Sequence, residues 1–242
     1  ISFQPPIVTA VSPNGADGQD SITFEDTASN RQVVGDAIAV TVVFSTPSGS
    51  VTEADVYLNP ANLDGGGTPQ PFSTTGAAGM FDIESTVLHE LGHALGMEHT
   101  NVFGASLWPF GRTGDVHGRN LKADDIAFAI DLYPGNGVQP QFGRIRGTAT
   151  LNGGGPVSSG MVVAVDGATG VVVSGPTDLS TGGYNMLVPP GDYFVYIESL
   201  SGQVLPSNLD LTPAEVTAPF PATRPIGATA GQTLPVPAGG EA

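Results

Sequence analysis

The chain has 242 residues, 23 Asp and Glu against 7 Lys and Arg, and no cysteine, for a formal net charge of −16. The missing thiols exclude disulfide scaffolds, thiolate metal sites and cysteine nucleophiles, and the acidic excess argues against nucleic acid or anionic membrane surfaces as partners, since both need Lys and Arg to neutralise them. With 40% hydrophobic residues, 34 Gly and 21 Pro, there is apolar material for one large or two ordinary domains and turn formers for many short strands, so a β-rich protein is expected.

No run of about 18 apolar residues occurs, so no membrane insertion is expected. The chain opens at Ile1 without an initiator Met or a basic and apolar leader, as a chain whose signal has been removed or as a fragment would. Residues 1–135 hold 16 acidic and 4 basic residues and all four His, against 7 acidic and 3 basic in the rest. The turn-rich stretch from Tyr133 to Pro140 divides them, giving expected domains at 1–135 and 144–242 with a linker at 136–143. In the first, Ser21–Phe24, Ala37–Phe44 and Val51–Asn59 are expected strands. Ile83–Leu95 is an expected helix with Val87, Leu88, Leu91, Ala94 and Leu95 on one stripe, Asp82 as N-cap and Gly96 as its stop. Ala123–Leu132 repeats the pattern and ends before Pro134. The second part shows short strands at Ile145–Leu151, Met161–Val165, Gly170–Val173, Tyr184–Val188 and Tyr193–Ser199, the spacing of a β-sandwich, and Ala228–Pro235 reads as a last strand or a frayed tail.

The chemistry is carried by His89-Glu90-Leu91-Gly92-His93-Ala94-Leu95-Gly96-Met97-Glu98-His99, an HExxHxxGxxH motif. Two His four apart on a helix project from one face and can bind a single Zn²⁺. A third ligand must come from outside that helix, and Gly96 can adopt the left-handed conformation that ends the helix and returns His99 to the metal. Three imidazoles leave the fourth tetrahedral position for water, as in a catalytic site, and Glu90 beside the first ligand is placed to take that water's proton.

These residues resemble the metzincin metalloendopeptidases, whose motif is followed by a Met-turn. Within them the chain is most similar to matrixins, through Thr100 after the third His, Leu121-Lys122-Ala123-Asp124-Asp125-Ile126 to Leu132-Tyr133, and Asp82-Ile83-Glu84-Ser85, over roughly residues 15 to 135. The resemblance implies an α+β catalytic domain, a twisted mixed sheet plus an active-site helix. It also implies a first strand and long helix ahead of DGQDSITF, which Ile1–Asn14 is too short and Pro-rich to supply, so an N-terminally truncated domain is expected. Leu107 stands where the family has the Met of its Met-turn, a swap of similar volume that keeps an apolar floor. Animal matrixins carry a second, structural zinc held by His before the catalytic helix; none precedes His89 here, so one zinc is expected. Asp125 is expected to hydrogen-bond the backbone of the Leu107 turn, and Pro109 and Phe110, after that turn, to bind the substrate side chain, with Trp108 as packing or as part of that pocket. His117 reads as a solvated loop residue. Asp17, Asp20 and the Gly-rich loop at Asp64 read as solvated turns, with Ca²⁺ binding as the other reading.

The second part resembles carboxypeptidase-regulatory-like or Cna-B-like transthyretin-type sandwiches, through GRIRGTAT, Gly182-Gly183-Tyr184 and Pro189-Pro190-Gly191-Asp192-Tyr193. Such modules act as spacers, stabilisers or adhesive units, so surface or matrix contact is one expected role. No Lys follows Lys122, which excludes the isopeptide crosslink of some relatives. The reading is a secreted, bacterial exported zinc metalloendopeptidase acting on extended polypeptides, which would add antiparallel to an edge strand within Ala37–Phe44. The alternative is a surface-binding or adhesive protein with a vestigial protease domain, motivated by Leu107 and by the expected lack of the first strand and helix.

Overall fold

The β-branched runs that open the chain form three strands: β1 (Ser21–Thr23), β2 (Ala39–Ser45) and β3 (Val51–Leu58), with a short helix α1 (Ala28–Val34) between the first two. The fold is a computed structural model that describes residues 5–8, 15–60, 71–135, 137, 139–200, 203–209, 211–212, 215–223 and 232–240. The Gly-rich loop at 64–67 lies outside the described residues, as do most of 1–14 and the start of the expected segment 228–235. Two compact units are formed, one by Ile1–Glu98 with Phe110–Asn120, the other by His99–Pro109 with Leu121–Ala242.

In the first unit the sheet order is β1-β3-β2, with β1 parallel and β2 antiparallel to β3. Central β3 is buried from Glu53 to Leu58 because it is covered on both faces, while β2 is an edge among the described residues. Short strands β4 (Phe72–Ser73) and β5 (Phe81–Asp82) pair in parallel, and β5 runs directly into helix α2 (Ile83–Ala94). Ile83 and Val87 of α2 and Phe72 pack against the core residues Ala39, Val56 and Leu58, so the first turns of the helix dock on the sheet; of the expected stripe, Val87 takes part in this core. Helix α1 was not expected. It is two turns long, shorter than any periodic window, and is held by its ends: the Thr27 hydroxyl accepts from Asn30 N at 3.1 Å, and Gly35 N donates to Arg31 O.

In the second unit, α3 (Ala123–Leu132) has the expected bounds. Strands β6 (Gly143–Thr148), β7 (Met161–Asp166), β8 (Val172–Pro176), β9 (Gly183–Val188), β10 (Gly191–Glu198) and β11 (Leu234–Val236) follow. They make an antiparallel sheet of order β11-β10-β7-β8 and an antiparallel pair β6-β9. Residues from both, including Ile145, Val162, Val173, Val188 and Tyr193, form one core that also takes Ala127 of α3. Tyr193 is buried, its hydroxyl donating to Pro189 O at 2.7 Å, which explains the aromatic after the PPGD turn. In the DGATG turn, Asp166 Oδ1 accepts from Ala168 N and Thr169 N, and Gly170 takes φ +72°. The bounds of β6 to β10 differ from expectation by one to three residues, and for β6 and β8 the turns give the reason. β6 starts at Gly143 and stops at Thr148 because Leu151 already belongs to a Gly-rich turn, where its carbonyl accepts from Gly154 N; β8 starts two residues late because Gly170 is that turn's left-handed residue. Gly143 is therefore strand, and Gln139–Gln141 is a single 3-10 turn. Among the described residues no helix is long and apolar enough to cross a membrane.

Candidate metal and catalytic centre

Helix α2 is fixed at both ends. At its start Asp82 Oδ1 accepts from Ser85 N at 2.8 Å, the expected N-cap, and the same carboxylate receives Arg119 Nε at 3.0 Å and Nη2 at 2.5 Å. The Arg119 hydrogen bonds, helped by Ser85, hold the Asp82 carboxyl at about 2. At its end Gly96 N donates to His93 O and Met97 N to Gly92 O, with Gly96 at φ +80°, so the predicted stop is a left-handed closing turn.

That turn has a chemical consequence. It places Met97 O 2.8 Å from His93 Nδ1, and a carbonyl can only accept, so Nδ1 carries the proton and Nε2 keeps its lone pair. His93 Nε2 lies 3.1 Å from His89 Nε2, with the two rings edge to face at 4.7 Å between centroids. Two imidazole ligands at Zn–N of about 2.05 Å in a tetrahedron would stand about 3.3 Å apart, so the spacing suits one zinc ion. His99 likewise has Nδ1 2.6 Å from a carbonyl, that of Asn208, and so also keeps Nε2 for a ligand bond. One ligand atom from each of His89, His93 and His99 lies within 4.8 Å of the others, and among the described residues no other group of three or more His, Asp or Glu does so. The donor set of three neutral imidazoles fits zinc.

Glu90 is buried at 4% exposure. Its Oε2 accepts from Thr41 Oγ1 at 2.6 Å, and the same hydroxyl stands 3.1 Å from Glu90 O. Burial pushes the Glu90 carboxyl up, opposed by the Thr41 hydrogen bond and by His93. Sequence reasoning missed Thr41, which is one β-branched residue among several in β2 and carries no motif.

Leu107 is buried, and Asp125 takes the role expected of it: its Oδ2 accepts from Ser106 N at 2.9 Å and its Oδ1 from Leu107 N at 3.1 Å. Trp108 packs against the buried cluster Met161, Leu200 and Val204 and meets Phe103 edge to face at 5.5 Å. Pro109 is half-buried and Phe110 is 38% exposed. His117 is exposed, with Nδ1 2.6 Å from Asp115 Oδ1. Asp17 Oδ1 accepts from Gln19 N and Asp20 Oδ1 from Ala54 N, while buried Glu53 accepts from Asp17 N and Gly18 N. These acids are used in holding the turn before β1.

Residues 15–134 match the family described as Matrixin, peptidase family M10. Matrix metalloproteinase-15 of Homo sapiens is 38% identical over 73 residues, which cover 30% of this chain and only 11% of that protein. No solved structure matches the chain.

Proposed function

We propose that this chain is a zinc-dependent metalloendopeptidase that hydrolyses extended polypeptides, with His89, His93 and His99 holding one Zn²⁺ and Glu90 as the catalytic base. The carrying observation is the three imidazoles gathered next to a buried glutamate, in a segment that matches the matrixin family. Zinc, when bound, supplies a Lewis acid that polarises the scissile carbonyl and makes water a better acid. The residues do the rest. Met97 O and Asn208 O fix the tautomers of His93 and His99. Thr41 holds one oxygen of the Glu90 carboxylate, leaving the other to take a proton from the attacking water and return it to the leaving amine. The raised pKa of Glu90 makes it a stronger base for that step.

Edge strand β2, which carries Thr41, suits an extended substrate that pairs antiparallel through main-chain hydrogen bonds, while Pro109 and Phe110 contact its side chain. Matrixins are mostly extracellular, which supports a secreted enzyme, and the antiparallel sheets of the second unit support the sandwich reading. One experiment separates enzyme from adhesive protein. Zinc content and casein hydrolysis are measured for the natural chain, His93→Ala and Glu90→Gln. The expected outcome is one zinc per chain, lost in His93→Ala but kept in Glu90→Gln, with hydrolysis down at least about 10²-fold in both. No hydrolysis by the zinc-loaded natural chain would sink the reading.

A further inference from the structure

His99 and the two residues after it are each tied to the far C-terminal part of the chain. His99 Nδ1 donates to Asn208 O at 2.6 Å, 109 residues further along. Thr100 Oγ1 lies 3.2 Å from Ser174 Oγ on β8, and Asn101 Nδ2 donates to Glu198 Oε1 at 2.9 Å at the end of β10. Ser174 N in turn donates to Asp124 Oδ1 at 2.7 Å.

The carbonyl that meets His99 is itself held. Asn208 sits in a 3-10 turn, Pro206–Leu209, in which Asn208 N donates to Leu205 O at 2.9 Å and Leu205 N donates back to Asn208 Oδ1 at 2.8 Å. Val204 before the turn and Leu209 and Leu211 around it join the apolar cluster of Met161 and Leu200 on which Trp108 also packs. The turn and the loop 99–109 thus share one core.

We propose that Asn208 is a positioning residue for the metal centre: its turn holds the carbonyl that sets the tautomer and ring orientation of His99, so that zinc affinity depends on a segment far outside the motif. A ligating His needs such an acceptor on its other nitrogen, and loss of the acceptor typically costs 10- to 100-fold in metal affinity or activity. The idea rests on His99 being a zinc ligand. It gives the C-terminal part a role in assembling the site in addition to any contact with a surface.

The test uses the full chain with ¹⁵N-labelled histidine and zinc bound. Long-range proton–nitrogen correlation should show His99 with its proton on Nδ1, exchanging with solvent at least about tenfold slower than the exposed His117. Asn208→Ala removes the acceptor for Leu205 N and should weaken zinc binding, read by chelator competition, about tenfold, while moving the His99 signals and leaving those of His93 in place. Asn208→Asp keeps that acceptor and should restore affinity to within about twofold. An unchanged affinity and His99 signal in Asn208→Ala would overturn the proposal. Should that variant fail to fold, the natural chain still decides: a His99 Nδ1 proton exchanging as fast as that of His117 refutes it. Zinc retained by His99→Ala would instead remove the ligand assignment itself, whereas zinc lost in His99→Ala but unaffected in Asn208→Ala removes only the role of Asn208.

Discussion

In the proposed reaction Glu90 takes a proton and gives it back, which works best with a pKa near the operating pH, and its carboxyl is placed between opposing influences. Burial raises its carboxyl; the Thr41 hydroxyl, at 2.6 Å, lowers it by favouring the charged form. Thr41→Val has nearly the same shape and removes only the hydroxyl, so the carboxyl should rise further. Because the base must be deprotonated to act, the acid limb of the kcat/KM profile should move to higher pH, and kcat at neutral pH should fall about tenfold with little change in KM. An unshifted acid limb would show that the hydroxyl serves Glu90 O, at 3.1 Å, rather than the carboxylate.

At the scale of elements, the reversal after α2 depends on one glycine. Gly96 has φ +80°, and a Cβ there would meet only Val51 Cγ2 at 3.7 Å, an ordinary contact. The cost of Gly96→Ala is therefore conformational, about 1–2 kcal/mol, and should appear as a lower denaturant midpoint with an unchanged slope. Weaker metal binding should accompany it, since the same turn delivers Met97 O to His93. Both α2 and this turn were legible in the sequence, because an apolar stripe, an Asp cap, a Gly stop and the His spacing agree with one another. Helix α1 was not, since two turns give no period and its caps are its main signal. The four central residues of the candidate site could be read from spacing alone, but their supports could not. Met97 and Asn208 act through backbone carbonyls, which every residue has, and Asn208 does so across 109 residues, where no local pattern reaches.

For the molecule as a whole, the stretch 136–143 reads in sequence as a linker, yet α3 and the loop 99–109 belong to the same compact unit as the strands that follow it. Ala127 of α3 lies in the core with Ile145, Val162 and Val173, and Asp124, buried in the first turn of α3, accepts from Ser174 N on β8. Burial pushes the Asp124 carboxyl up to about 6 from its ordinary 3.8. The folded chain thus holds that proton more tightly than the unfolded one; the contribution is full below about pH 4 and lost as pH rises through 6, roughly 3 kcal/mol in all. Asp82 in the other unit, held at about 2, acts with opposite sign: its contribution is full above its ordinary value and lost as pH falls through 2. Urea unfolding between pH 4 and 7 should show the Asp124 contribution as a fall in stability that Asp124→Asn flattens. Cutting the chain after residue 135 tests the packing directly. If the linker separates independent bodies, residues 1–135 should keep zinc and hydrolyse a small peptide at nearly the natural rate. The packing of α3 and the bonds from residues 99–101 to Asn208, Ser174 and Glu198 predict the opposite. The shortened chain leaves Ala127 without its core and His99 without its acceptor, so the small-peptide rate should fall well beyond tenfold, more than about 1.4 kcal/mol of barrier, and zinc affinity with it. A rate within tenfold of the full chain, with zinc retained, would mean that the motif and its helix suffice and that the C-terminal strands only accompany them.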